Sequence, residues 1–262
     1  QRQEARAQLA RAVAKAKPGG WVIAAAPNSE GAKTLEADLA ALLGAVDRMS
    51  KYKCRVIWGE ASGSLNRDLL AEWQALDAPR PVLDGAYVSR PGVFAWDRVD
   101  AASQLLADHL PEMLSGTGAD LGCGFGFLAR TVLERCPKVS VLDLYEAEKR
   151  ALDLAQQNLK SFSGKRQLTG IWSDVTRGIE GPYDFVVSNP PFHQSGKADR
   201  TDVGQGFIRA AARGLRPGGV FYMVANRHLP YEHTLSEVFQ SFDMLADEGG
   251  YKVIRAIKGK GR

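Results

Sequence analysis

From residue 82 onward, short apolar runs alternate with longer stretches in which apolar residues recur every three or four positions. The runs are "GADLGCG" (118–124), "VSVLDLYE" (139–146), "RQLTGIWS" (166–173), "YDFVVSN" (183–189) and "GVFYMVAN" (219–226). Each has the length of a strand, and helical spacing fills most of the gaps between them. Strand and helix in alternation predict an α/β fold, a mostly parallel sheet with helices on both faces. Ahead of these runs, "VLDGAYVSRPGVFAW" (82–96) reads as a hairpin, and a helix should open at Asp100 as its N-cap and close at Pro111.

The first 76 residues carry a second pattern. "RAVAKAKPGGWVIAAAPN" near the start parallels "AAARGLRPGGVFYMVANR" near the end, each a small-residue helix, a basic residue, PGG and a strand. A Tyr-Lys pair follows 34 residues after the proline in both, Pro18 to Tyr52 and Pro217 to Tyr251, with "KTLEADLAALLG" and "HTLSEVFQSF" at helical spacing between. A partial duplication accounts for this: residues 1–76 as an incomplete copy lacking its front half, 77–81 ("DAPRP") as a linker, and 82–262 as the complete domain.

Composition narrows the classes. At 262 residues and 45% hydrophobic content, the chain can fill one large core or a domain and part of another. No run of about 18 apolar residues is present, and "QRQEARAQLARAVAKAK" lacks the apolar centre of a signal segment, so a cytoplasmic protein without membrane contact is expected. Cys54, Cys123 and Cys136 form no CxxC pair and have no clustered histidines, which suggests neither a metal site nor a disulfide framework. A formal charge of +4 permits a polyanionic partner without demonstrating one.

Chemistry concentrates in three places. "ADLGCGFGFLAR" (119–130) runs from a strand through Gly122, Gly124 and Gly126 into a helix, preceded by Asp120. Glycines let the backbone turn tightly and approach a ligand, while the helix start offers free N–H groups. The GxGxG spacing differs from the GxGxxG of dinucleotide enzymes. The stretch resembles the first motif of class I S-adenosylmethionine-dependent methyltransferases, which implies a Rossmann-like fold, S-adenosylmethionine as cofactor, and Asp120 with the three glycines at its site. The same resemblance places a ribose-binding acid at the end of the next strand. Counting back from Ala151 and Leu152 favours Glu146, with Asp143, inside or beside the strand, as the alternative, and Asp174 in "GIWSDV" falls where the family contacts the adenine amino group.

The third place is "DFVVSNPPFHQSG" (184–196), where a hydrophobic strand runs into Asn189, Pro190, Pro191 and Phe192. Proline cannot extend a central ladder, so the strand must end there in a stiffened loop. An exocyclic amino group is a poor nucleophile because its lone pair is delocalised into the ring. An Asn189 side-chain oxygen and a Pro190 carbonyl accepting its two N–H groups would free and aim that pair, Phe192 would stack on the base, and Asn189 would also border the cofactor. NPPF in this setting resembles the amino-group methyltransferases. Residues 188–232, "SNPPFHQSGKADRTDVGQGFIRAAARGLRPGGVFYMVANRHLPYE", resemble the family that methylates guanine N2 in 16S rRNA, whose members carry two tandem methyltransferase-like domains, the first degenerate. That resemblance implies an rRNA guanine-N2 methyltransferase acting on 16S rRNA or the 30S subunit. A 23S rRNA enzyme, a DNA adenine or protein glutamine methyltransferase, and a non-catalytic RNA-binding scaffold are the other readings. His193, Lys197, Arg200 and Arg227 flank the loop and are candidates for RNA contact.

Overall fold

A computed structural model describes residues 2–61, 64–191 and 199–260, with the side chains of 199 and 200 not described. The chain divides into two compact units, Gln1–Arg80 with Arg90–Gly92, and Pro81–Ser89 with Val93–Arg262.

In the first unit, α1 (Arg2–Lys15), β1 (Trp21–Pro27), α2 (Ala32–Leu43), β2 (Asp47–Lys51), β3 (Cys54–Glu60) and α3 (Arg67–Gln74) follow in order. The three strands form an antiparallel sheet in the order β1-β3-β2. Leu9, Val13, Leu39, Leu42, Ile57 and Trp73 make its core. Two buried carboxylates are paired with arginine: Asp38 with Arg6 at 2.9 Å, and Asp77 with Arg11 and Arg90, each at 2.8 Å. Asp77, inside the "DAPRP" stretch, is therefore an ion-paired residue only 2% exposed.

The second unit starts with a short ribbon of β4 (Arg80–Val82) and β5 (Tyr87–Ser89). It continues through α4 (Ala101–His109), β6 (Ser115–Leu121), α5 (Phe127–Arg135), β7 (Lys138–Glu146), α6 (Lys149–Asn158), β8 (Gln167–Trp172), β9 (Tyr183–Ser188), α7 (Asp199–Gly214), β10 (Leu215–Asn226), α8 (Glu232–Val238), β11 (Ser241–Glu248) and β12 (Tyr251–Ile257). Its seven-stranded sheet has the order β11-β12-β10-β9-β6-β7-β8. The ladders from β8 through β10 are all parallel, and β12 runs antiparallel to both of its neighbours. Asp100 caps α4 as expected, its carboxylate accepting from Ser103 N at 3.0 Å.

Both faces of this sheet are covered, which is why its central strands read as unbroken apolar runs. On one face Leu106, Ala129, Leu133, Leu152 and Ala155 of α4, α5 and α6 pack on Leu142, Phe185, Tyr222 and Val224. On the other, Phe207, Ile208, Ala211 and Leu235 of α7 and α8 pack on Val186, Phe221 and Met223. Each such large side chain contributes about 1.5–3 kcal/mol through burial. The packing leaves no room at Gly118, where a Cβ would fall inside 3.0 Å of three atoms of the Phe185 ring on the neighbouring strand. Phe185 is 2% exposed and has nowhere to move. Gly118→Ala is expected to cost about 1–3 kcal/mol, read as a lowered denaturant midpoint at unchanged slope.

The connectivity α7-β10-α8-β11-β12, with strands ordered β10-β12-β11, is the same as α1-β1-α2-β2-β3 with strands ordered β1-β3-β2. The Tyr-Lys pairs do not occupy equivalent places, however. Tyr52 and Lys53 are the two-residue turn between β2 and β3, with φ of 52° and 59°, whereas that turn between β11 and β12 is Gly249-Gly250 and Tyr251 opens the strand. "HTLSEVFQSF" also divides, α8 stopping at Val238 and β11 taking Ser241 and Phe242.

Candidate active site

The chain leaves β6 outward through β7 and β8, then returns to the other side of β6 with β9. Loops at the carboxyl ends of two such strands diverge, and a crevice opens between them. Leu121 and Ser188 are paired at this point, and the Ser188 hydroxyl donates to the Leu121 carbonyl at 2.7 Å, tying the two strand ends together. Immediately beyond lie Gly122 on one side and Asn189 on the other.

Gly122, Gly124 and Gly126 all adopt left-handed φ, at 74°, 55° and 96°, a region that strains other residues. Gly122 N and Cys123 N donate to the Tyr145 carbonyl at 2.8 and 3.1 Å, and Gly124 N donates to Glu146 Oε2 at 2.9 Å. Nothing lies within 4 Å of where a Gly124 Cβ would be, so its bare backbone faces open space. Gly126 differs: it caps α5, and a Cβ there would stand 3.3 Å from Ala155 Cα of α6. Its place is in helix packing, and it does not line the cavity.

Asp120 lies beneath this loop, fully buried. Its Oδ2 accepts from Ala129 N at 3.0 Å, and Oδ1 has no hydrogen-bond partner among the described residues. Burial pushes the carboxyl up to about 7; the Ala129 N–H works against that rise and the charge of Glu146 adds to it.

Of the two acids near the end of β7, the structure brings Glu146 to the cavity and turns Asp143 away. Asp143 Oδ2 accepts from the Tyr183 hydroxyl at 2.7 Å, and Tyr183 is in turn 2.8 Å from the Tyr145 hydroxyl. Period-two alternation is the reason: Asp143 and Glu146 are three positions apart, an odd offset that sets them on opposite sides of the sheet. Asp174 also lines the cavity, capping the short helix Val175–Arg177. Its bonds from the Thr176 hydroxyl (2.7 Å) and Thr176 N (3.0 Å) hold its carboxylate below the usual range.

Asn189, Pro190 and Pro191 form the opposite wall of a cavity of about 260 Å³ that also includes Phe94, Gly122, Gly124, Glu146, Asp174, Val203 and Phe207. A second, smaller cavity shares Phe94, Gly122, Gly124 and Asn189 with it and extends to Asp100, Ser103 and Phe127. Asn189 Oδ1 is buried and has no hydrogen-bond partner among the described residues, while both hydrogens of its amide nitrogen are engaged with α4. Phe192, His193 and Lys197, with the Arg200 side chain, lie outside the described residues. Arg227 is away from the cavity, its guanidinium paired with the Asp247 carboxylate and donating to the Asp247 carbonyl at 3.1 Å. Ser103, Ser173, Val203 and Phe207 carried no sequence signal of a site, since nothing in their spacing distinguishes them from ordinary helix and turn residues.

The walls suit a nucleoside-bearing cation. The Glu146 and Asp174 carboxylates, the bare backbone of Gly124 and the Asn189 amide oxygen, which has no partner among the described residues, all border the cavity. A family model, the methyltransferase small domain, matches residues 84–255. Ribosomal RNA small subunit methyltransferase C of Shewanella halifaxensis is 31% identical over 246 residues, 92% of this chain and 70% of the relative. The protein of that name from Cronobacter sakazakii is 33% identical over 264 residues, 98% and 73% of the two chains. A solved 16S rRNA N2 methyltransferase of T. thermophilus, in complex with AdoMet and guanosine, superimposes with a TM-score of 0.78 at 29% identity, covering 97% of this chain and 68% of that one. The sheet order, the crevice between β6 and β9 and these likenesses agree: the chain belongs to the class I methyltransferases of the methyltransferase small domain family, and within them to the ribosomal RNA small subunit methyltransferase C family.

Proposed function

We propose that the protein transfers a methyl group from S-adenosylmethionine to the exocyclic N2 amino group of a guanine in 16S rRNA. The observation that carries this reading is the Asn189 amide oxygen, buried beside the glycine loop of a chain in this family and without a partner among the described residues. When bound, S-adenosylmethionine supplies an electrophilic methyl on sulfur. Gly122 and Gly124 offer backbone to hold it, and the Glu146 and Asp174 carboxylates offer acceptors for a ribose and an amino group.

The residues of the opposite wall act on the nucleobase. Asn189 Oδ1, with the Pro190 carbonyl, accepts the two N–H bonds of the guanine amino group, so that its lone pair is no longer spread into the ring and is directed at the methyl carbon. Pro190 and Pro191 stiffen the loop that carries these acceptors, and Phe192 supplies a stacking face. Positioning provides most of the acceleration, and once methylation has made the amino nitrogen acidic its extra proton passes to solvent water. Guanine N2 within a duplex is out of reach, so the target must be unpaired or extruded, at a cost of a few kcal/mol.

His193, Lys197 and Arg200, downstream of the loop, are proposed to meet RNA phosphates; for Arg227 the same role requires exchanging Asp247 for a phosphate. Residues 82–262 are the proposed catalytic domain, 77–81 a linker, and 1–76 a partial, degenerate methyltransferase-like copy, which the shared connectivity supports.

Mass mapping of nucleosides after incubation with S-adenosylmethionine and each of deproteinised 16S rRNA, 30S subunits, 23S rRNA and DNA tests this. N2-methylguanosine in 16S rRNA, from the free RNA or the particle, is the expected product. Methylation confined to 23S rRNA or to DNA adenine would overturn the assignment.

A further inference from the structure

The Asn189 amide has two possible orientations, related by exchange of its oxygen and nitrogen, and only one of them presents an acceptor to an amino group. The structure selects that one through two residues of the α4 N-terminus. Asn189 Nδ2 donates to Asp100 Oδ2 at 3.0 Å and to Ser103 Oγ at 2.7 Å, which uses both of its hydrogens. Turned the other way, the amide would set its oxygen against the Asp100 carboxylate oxygen, acceptor facing acceptor, and lose that bond. Ser103 is 9% exposed, so water does not readily replace it. A charged acceptor also strengthens the bond and polarises the amide, drawing electron density toward Oδ1. Asp100 Oδ2 serves twice, since the same atom caps α4 by accepting from Ser103 N at 3.0 Å.

We infer that Asp100 and Ser103 are positioning residues for methyl transfer, claiming both amide hydrogens of Asn189 so that its oxygen is held as the acceptor for the target amino group. The inference rests on the role of Asn189 given above. Its consequence is that the helix cap and the reacting loop, 86 to 89 residues apart in the chain, share one hydrogen-bond network.

Four variants separate orientation from capping. Asp100→Ser keeps a good N-cap but is too short to reach Asn189, and Ser103→Ala removes the other acceptor with a good helix former. Their combination leaves the amide free to turn. Asp100→Asn can place its amide oxygen where Oδ2 stood and restore both bonds. With saturating S-adenosylmethionine and rRNA, the double variant is expected to lose at least about tenfold in kcat with less than about threefold change in KM for the cofactor, and Asp100→Asn to remain within about threefold of the parent. A double variant within about twofold of the parent kcat would overturn the inference. So would an Asp100→Asn variant as slow as Asp100→Ser, which would make the charge itself the requirement. Asn189→Ala, assayed alongside, keeps the two levels apart: if it is fully active the reading of Asn189 fails, whereas an inactive Asn189→Ala with an active double variant removes only the positioning role.

Discussion

Asn189→Ala is expected to lower kcat about 10²–10³-fold while S-adenosylmethionine affinity stays within a few-fold of the parent. The substitution removes a buried amide oxygen that lies at the cavity without a partner among the described residues. Without it the guanine amino group keeps its lone pair in the ring and loses one of two bonds that aim it. Its geometry matters more than its size, because an acceptor preorganised by α4 requires no reorganisation as charge develops on the nitrogen. Single-turnover methyl transfer, with calorimetric titration of the cofactor, separates the two quantities. Equal losses of rate and of cofactor affinity would mean that Asn189 serves binding, and an unchanged rate would remove it from the mechanism.

Asp120→Asn should stabilise the protein, and only above acidic pH. Burial raises the Asp120 carboxyl from about 3.8 in the unfolded chain to about 7 in the folded one. Below pH 4 both states hold the proton. Between 4 and 7 the unfolded chain gives it up while the folded chain retains it, so stability falls as pH rises through this window and levels off above 7. At 1.36 kcal/mol per unit, the loss reaches about 4 kcal/mol for the folded state by pH 8. An asparagine does not ionise, and its oxygen can still accept from Ala129 N. Denaturant midpoints for parent and variant should coincide within about 1 kcal/mol at pH 4 and separate by up to about 4 kcal/mol at pH 8, the variant being the more stable. A gap that is constant with pH would show that Asp120 does not titrate in this range. That an acid stands here at a cost in stability fits the functional role its motif's resemblance implies, for functional sites are where such costs are retained.

Much of this was legible along the chain. The central strands are apolar on both faces, because helices cover both, and so β6, β7, β9 and β10 announce themselves as runs. The edge was harder to read. β11 exposes five of its eight residues and, among the described strands, borders only β12, so its pattern "SFDMLADE" carries little periodic signal, and its first residues fall within the helical spacing of "HTLSEVFQSF". The glycine turn and the Asn-Pro-Pro loop were readable because their chemistry is local: left-handed φ needs glycine, and a proline pair ends a strand wherever it lies. Glu146 and Asp143 could be ranked by spacing, but it took the pleat of β7 and a tyrosine from another strand to engage one and leave the other at the cavity.

By itself, then, the sequence determined the α/β class, the order of the parallel strands' elements and the residues at the ends of β6 and β9, since each of these follows from periodicity or from the conformational limits of glycine and proline. Tertiary structure alone decided which atoms are left without partners. Whether Asn189 offers its oxygen or its nitrogen depends on Asp100 and Ser103, brought to it from 86 to 89 positions away by the packing of α4 on the sheet. Hydrogen-bond direction is settled by whichever donor or acceptor lies opposite, and that neighbour is supplied by the fold, not by adjacency in the chain.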